Sequence, residues 1–190
     1  MSIGVLALQG DFEKHQQAIE ACGHEAALVR RPDEVAGLDG LIIPGGESTT
    51  IAKLIDRAEL AEPIQALAAR GAPILGTCAG MILLATDIED YDQPTLRLIN
   101  ATVRRNAFGR QVDSFEADLD VAGIDGEPLR AVFIRAPFVT EVGPDVEVLA
   151  EFEGSIVLAR EGNVIACAFH PELTEDPRLH RLLIDAAETT

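Results

Sequence analysis

Four short apolar runs, each followed by a turn and then a helical stretch, constrain the fold more than any other feature of this chain. They are Ile3 to Leu8, Ala26 to Val29, Gly40 to Ile43 and Pro73 to Gly76. Gly40-Leu41-Ile42-Ile43 carries no polar residue, the pattern of a strand buried on both faces of a parallel sheet. Between the runs lie helical segments. The first opens after Asp11, a candidate N-cap, and ends at Gly23. The second starts at Ser48, another candidate cap, and continues through Ile51, Leu54 and Ile55, and a third covers Leu60 to Ala69. Regular alternation of this kind predicts a doubly wound α/β fold with a largely parallel sheet flanked by helices.

The pattern changes after Leu98. Ala101 to Arg104, Gln111 to Phe115, Ala131 to Ile134, Val146 to Phe152, Ile156 to Ala159 and Val164 to Phe169 read as closely spaced strands, which suggests antiparallel additions to the sheet. A last helix is expected over Pro177 to Ala187, with Pro177 in a first-turn position. The 190 residues suit one domain spanning 1–190.

The fourth apolar run leads into Gly76-Thr77-Cys78-Ala79-Gly80, and Met81 to Ala85 then reads as a helix. A sharp strand-to-helix turn with small residues around a cysteine is a nucleophile elbow. The turn strains the central residue, so Gly76 and Gly80 supply the missing bulk. A helix beginning at this point favours thiolate over thiol. The alternative role for Cys78 is a small core residue.

Phe169-His170-Pro171-Glu172 follows the last strand. His170 therefore sits at a strand end, where the elbow also emerges. It can take the proton of Cys78, and Glu172 can bind the other ring nitrogen and fix its tautomer. A cysteine nucleophile with a histidine base performs acyl transfer through an oxyanion. The N–H of Ala79 is one candidate oxyanion donor, and the Gly45-Gly46 loop, with Gly46 foremost, is the second. Gln9 and Gly10 close the first strand on a rim that would face a partner. His15, His24 and His180 fall in helical or loop settings and are expected to be solvated.

Composition removes other classes. The net charge is −17, from 15 basic and 32 acidic residues, a field that repels phosphate backbones and argues against nucleic-acid binding. The apolar runs are too short to span a bilayer, and the first residues read as a strand and not a leader, so no membrane association and a cytoplasmic location are expected. The three cysteines, Cys22, Cys78 and Cys167, show no metal-type spacing. Cys22 and Cys167 read as structural. The sequence holds neither a metal cluster nor a Walker-type loop, and no cofactor is expected.

Taken together, Leu8-Gln9-Gly10, Pro44 to Thr50 (PGGESTT), the elbow, Arg105 to Gln111 (RNAFGRQ), Val132 to Pro137 (VFIRAP) and Phe169 to Glu172 resemble the class I glutamine amidotransferases of flavodoxin-like fold. Within that class they are most similar to the glutaminase-subunit family of pyridoxal 5′-phosphate synthase. The likeness runs over essentially the whole chain. Ala107 and Phe138 depart from the family pattern, which usually has Ser and His there. The resemblance implies hydrolysis of L-glutamine to L-glutamate and ammonia by a Cys78–His170–Glu172 triad. It implies glutamine binding by Gly46, Glu47, Ser48, Arg105, Ile134 and Arg135. It also implies a hetero-oligomeric complex with the synthase (lyase) subunit, which receives the ammonia through a tunnel to make vitamin B6 in its phosphorylated form. One alternative is the glutaminase of another synthase, such as imidazole glycerol phosphate synthase. Others are a peptidase-like or chaperone-like relative with the same elbow, and a non-catalytic binding module.

Overall fold

The computed structural model describes residues 1–106 and 114–189. The stretch Ala107 to Gln111 of the RNAFGRQ motif, and residues 111–113 of the strand expected there, lie outside the described residues.

The chain alternates at first as its pattern requires. β1 (Ser2–Leu6), α1 (Phe12–Ala21), β2 (Glu25–Val29), β3 (Gly40–Ile43), α2 (Ser48–Arg57), α3 (Ala61–Ala69), β4 (Ile74–Thr77) and α4 (Ala79–Leu84) follow in order. Then come β5 (Ala85–Ile88), β6 (Ile99–Arg104), β7 (Ser114–Leu119), β8 (Leu129–Ile134), β9 (Phe138–Val142), β10 (Glu147–Phe152), β11 (Ser155–Glu161), β12 (Val164–Cys167) and α5 (Arg178–Thr189). Their order in the main sheet is β2-β1-β3-β4-β12-β11-β9-β6-β5, with β10 paired to β11. The first five of these run parallel. Their order matches the flavodoxin-like arrangement, in which ligands bind at the carboxyl edge. β11 turns antiparallel to β12, and β9 lies antiparallel to both β11 and β6. β7 and β8 form a separate antiparallel pair.

β3, β4 and β12 are buried along their whole length, as their sequences, apolar but for Thr77, demand. Four phenylalanines pin the β7–β8 pair to the main sheet. Phe133 stacks on Phe115 with centroids 4.6 Å apart and meets Phe169 edge-on at 5.6 Å, while Phe152 packs on Phe115 at 5.1 Å. Geometries of this kind add to the area that the rings bury. They also place the end of β8 beside the end of β12.

Several local expectations change. Ala85 does not end a helix but opens β5, and β9 is a further strand absent from the sequence reading. Asp11 precedes α1 without a side-chain capping bond. Ser48 is not the cap of α2. Glu47 is, accepting from the Thr49 and Thr50 backbone N–H groups at 3.2 and 2.8 Å. The Ser48 hydroxyl donates instead to Gln93 Oε1 at 3.1 Å.

Candidate active site

The ends of β1, β3, β4 and β12 meet at one edge of the parallel sheet, and the expected catalytic residues all lie there. Cys78 follows β4 directly. Its backbone has φ 49° and ψ −103°, a conformation that an L-residue adopts only under constraint. The constraint is visible on each side. The Cys78 N–H donates to the Cys167 carbonyl of β12 at 2.8 Å. A Cβ on Gly76 would lie 2.6 Å from the Gly80 carbonyl, and one on Gly80 would strike the Ile43 carbonyl. The elbow therefore closes only with glycine at both positions. Cys78 is 8% exposed, and its Sγ lies 3.8 Å from the Ile134 carbonyl.

His170 stands just past β12, its N–H held by the Val132 carbonyl at 2.8 Å. Its Nδ1 lies 2.7 Å from Glu172 Oε1, within a single turn of 3-10 helix at Pro171–Leu173. Both side chains are nearly buried. Burial lowers the imidazole pKa, but the hydrogen bonds to Cys78 and Glu172, and the charges on both, raise it to about 10. Burial likewise pushes the Glu172 carboxyl up. The bond from His170 and the proximity of the His15 and His170 rings outweigh that and hold it below the usual carboxylate range. An imidazolium anchored by a carboxylate and facing a cysteine can stabilise a thiolate and later give up its proton.

The Gly45–Gly46 loop presses on this pair. A Cβ on Gly45 would lie 2.5 Å from His170 Cε1 and 3.3 Å from Cys78 Cβ. Gly46 has φ 151°, open to glycine alone. The loop is held from behind: Gln9 Oε1 accepts the Glu47 N–H at 2.9 Å, and Gly10 packs so closely on the Gly45 carbonyl that a side chain would collide with it. Ala79 is the first residue of α4, so its N–H has no acceptor within the helix.

Of the remaining sequence-predicted residues, Glu47, Ser48 and Arg105 gather beside this loop. The Glu47 carboxylate takes the Arg105 guanidinium at 3.3 Å, besides capping α2. Arg105 stacks 4.1 Å over the Tyr91 ring, and the Thr49 hydroxyl lies 3.3 Å from the Tyr91 hydroxyl. Ile134 faces Cys78 through its carbonyl. Arg135 follows with φ 43°, and its side chain is exposed, with no ion pair among the described residues.

Sequence reasoning missed Tyr91 and Gln93, which sit in an irregular segment with no motif. It also misplaced two histidines. His15 and His180 are not solvated: both are fully buried behind Glu172. A polar residue on an amphipathic helix signals solvent unless the partner that buries it is known. Cys22 and Cys167 form no disulfide, and burial raises the Cys167 thiol far above its usual pKa. Among the described residues no cluster could hold a metal ion, and no helix is long and apolar enough to cross a membrane.

Comparison with known proteins defines the class first. A solved structure described as a glutamine amidotransferase superposes with a TM-score of 0.93 at 49% identity, covering 98% of each chain. The structure of PurLQS from Thermotoga maritima shares the fold alone, with a TM-score of 0.71 at 18% identity over 99% of this chain and 97% of that one. The family follows: the chain belongs to the SNO glutamine amidotransferase family, whose model matches residues 5–189. It is 54% identical to the pyridoxal 5′-phosphate synthase subunit PdxT of Bacillus pumilus, over 100% of this chain and 96% of that protein. It is 56% identical to the PdxT subunit of Desulforudis audaxviator, over 97% of this chain and 98% of that one.

Proposed function

We propose that this protein is the glutaminase subunit of a pyridoxal 5′-phosphate synthase, with Cys78, His170 and Glu172 as its catalytic triad. The observation that carries the chemistry is the strained cysteine beside an imidazole held 2.7 Å from a buried carboxylate. Relatives named as synthase subunits support the choice of pathway.

The Cys78 thiolate attacks the γ-carboxamide carbon of L-glutamine. The oxygen takes up negative charge, and the N–H groups of Gly46 and Ala79 stabilise it. His170 gives its proton to the departing nitrogen, and the C–N bond breaks to release ammonia. Water then attacks the thioester with His170 as base. The C–S bond breaks, and L-glutamate leaves with the thiolate and the imidazolium restored. Glu172 keeps the imidazole in the productive tautomer throughout. Glu47, Ser48, Arg105, Ile134 and Arg135, with Gly46, form the glutamine site. The α-ammonium calls for an acid and the α-carboxylate for a base, which Glu47 and the two arginines supply.

The ammonia passes to a synthase subunit docked over the rim that carries Gln9 and Gly10. The test is pyridoxal phosphate formation by the two subunits, with glutamine or an ammonium salt as the nitrogen source. Cys78→Ala is expected to abolish the first and spare the second. Synthesis from glutamine by that variant would overturn the reading.

A further inference from the structure

Behind the triad lies a polar chain that the mechanism does not use. His15, on the inner face of α1, brings its Nε2 to 3.2 Å from Glu172 Oε2 and to 3.2 Å from the Thr77 hydroxyl. Its Nδ1 lies 3.0 Å from Nε2 of His180, on α5. His15, Thr77 and His180 are all 0% exposed. One imidazole thus touches the residue before the nucleophile and the carboxylate behind the base.

The protons can be placed by elimination. Glu172 is ionised: despite burial, the bond from His170 Nδ1 and the neighbouring rings hold its carboxyl below the usual carboxylate range. A ring nitrogen 3.2 Å from its other oxygen is favoured with hydrogen over a lone pair beside a carboxylate. His15 therefore bears its hydrogen on Nε2, and its bare Nδ1 accepts from His180 Nε2–H. The Nδ1 of His180 is then a bare nitrogen, and it has no hydrogen-bond partner among the described residues. The Nε2–H is directed at the Thr77 hydroxyl, and Glu172 Oε2 accepts no hydrogen bond among the described residues. His15 therefore acts on that oxygen through the field of its N–H dipole at 3.2 Å. Burial lowers the pKa of His15 despite the nearby Glu172 charge, so the ring stays neutral and serves as a donor without adding a cation.

We propose that His15 is a positioning residue for Glu172: its Nε2–H dipole, held by Thr77 and 3.2 Å from the second carboxylate oxygen, keeps Glu172 fixed and ionised behind His170. This rests on the triad assigned above. It goes further in making the triad the visible end of a relay that runs from α5 through α1 to the elbow. Residues supporting a reactive group from behind typically matter by about 10–100-fold, judged from partners of metal-bound histidines.

The experiment is glutamine hydrolysis against pH for the complex with the synthase subunit. The variants are His15→Leu, which removes the donor, and His15→Gln, whose amide can return N–H to the Nε2 position. The groups facing His15 are Glu172 and His170 from the strand-end turn, Asp11 from the start of α1 and His180 from α5. His15→Leu is expected to lose about 10–100-fold in kcat with little change in KM. The acid limb of its profile should move up by about one unit, as Glu172 protonates more readily without its donor. His15→Gln should recover most of both. A His15→Leu profile with the wild-type kcat and acid limb would overturn the proposal, as would equal losses in both variants.

If His15→Leu does not fold, nitrogen-15 NMR of the histidine rings in the wild-type chain decides. A neutral Nε2–H tautomer for His15 through the working pH range supports the proposal, and an Nδ1–H tautomer overturns it. Glu172→Gln runs alongside: retention of activity there would sink the triad reading itself, a result distinct from failure of His15 alone.

Discussion

Gln9 Oε1 accepts the backbone N–H of Glu47 at 2.9 Å, tying the end of the first strand to the loop that faces the nucleophile. The same side chain lies against Gly46, so a residue expected on the partner-facing rim also braces the candidate oxyanion loop. Gln9→Ala should cost about 0.5–1.5 kcal/mol in stability, the worth of one hydrogen bond. It should lower glutaminase activation by the synthase subunit by about tenfold or more, since a lost oxyanion donor costs two to three orders of magnitude. Titrating activity with the synthase subunit checks this, and wild-type activation would separate Gln9 from the loop. Gly10→Ala, at φ 98° and against the Gly45 carbonyl, should be worse than Gln9→Ala in both respects.

Glu172→Gln preserves shape but removes the charge that anchors His170. The analogous change in a serine triad costs about four orders of magnitude in kcat. A loss under about tenfold, measured as ammonia release, would place the third triad member elsewhere.

The elbow strain gives a prediction about stability and not activity. Cys78 holds φ 49°, which glycine tolerates without penalty. Cys78→Gly should be inactive yet more stable than Cys78→Ala by about 1 kcal/mol, read from denaturant midpoints. Cys22→Ala should keep full activity. Cys167→Ala should also stay active, with a modest stability loss from its buried site.

Arg105 and Arg135 differ in setting. Arg105 is held by Tyr91 and Glu47, whereas Arg135 is exposed and has no ion pair among the described residues. If both bind glutamine, Arg135→Ala should raise KM by about 10–100-fold, the worth of a hydrogen bond to a charged group. Tyr91→Ala should raise KM less, by loosening Arg105. Lys53→Ala, on α2, is the control and should change little. Equal small effects from Arg135→Ala and Lys53→Ala would remove Arg135 from the site.

Buried neutral histidines make the fold sensitive to acid. Burial lowers the His180 pKa to about 3, with the neighbouring His15 adding to the shift. The unfolded chain protonates this ring below pH ~6.5 and the folded chain does not, so stability falls as pH drops through that window. By pH 5 the loss from His180 is about 2 kcal/mol. His170, raised to about 10, works the other way: it is already protonated when folded, while the unfolded ring takes up its proton only around pH ~6.5. It therefore adds about 1 kcal/mol between pH 7 and pH 5 and offsets part of the loss from His180. Melting temperatures between pH 7 and pH 5 should therefore fall, and less so for His180→Phe. Parallel curves for the two proteins would contradict the neutral assignment.

The parallel half of the sheet and the Cys78, His170 and Glu172 positions were legible because their signals are local. Unbroken apolar runs, glycines around a cysteine, and a His-Pro-Glu after a strand each act within a few residues. What failed was settled at a distance. Ser48 is a favoured cap by type and Glu47 is not, yet Glu47 caps α2 while Ser48 is engaged by Gln93, 45 residues away. The burial of His15 depends on His180, 165 residues further along. Ala85, which opens β5, reads as the end of a helix because no breaker separates it from α4. Its strand state comes from pairing with β6.

The last strand to be made, β12, takes the place between β4 and β11, and it carries His170 and Glu172 just beyond its end. A ribosome that has produced everything up to β11 has made the proposed nucleophile but not its base. It has also left β4 with an unpaired edge, the kind of surface that invites aggregation and degradation. With the triad assigned above, products cut short before β12 are inert toward glutamine and poorly folded at once. On the proposed triad, ammonia release would wait until the ribosome has passed β12, so the order of strands would couple activity to the completion of this last strand.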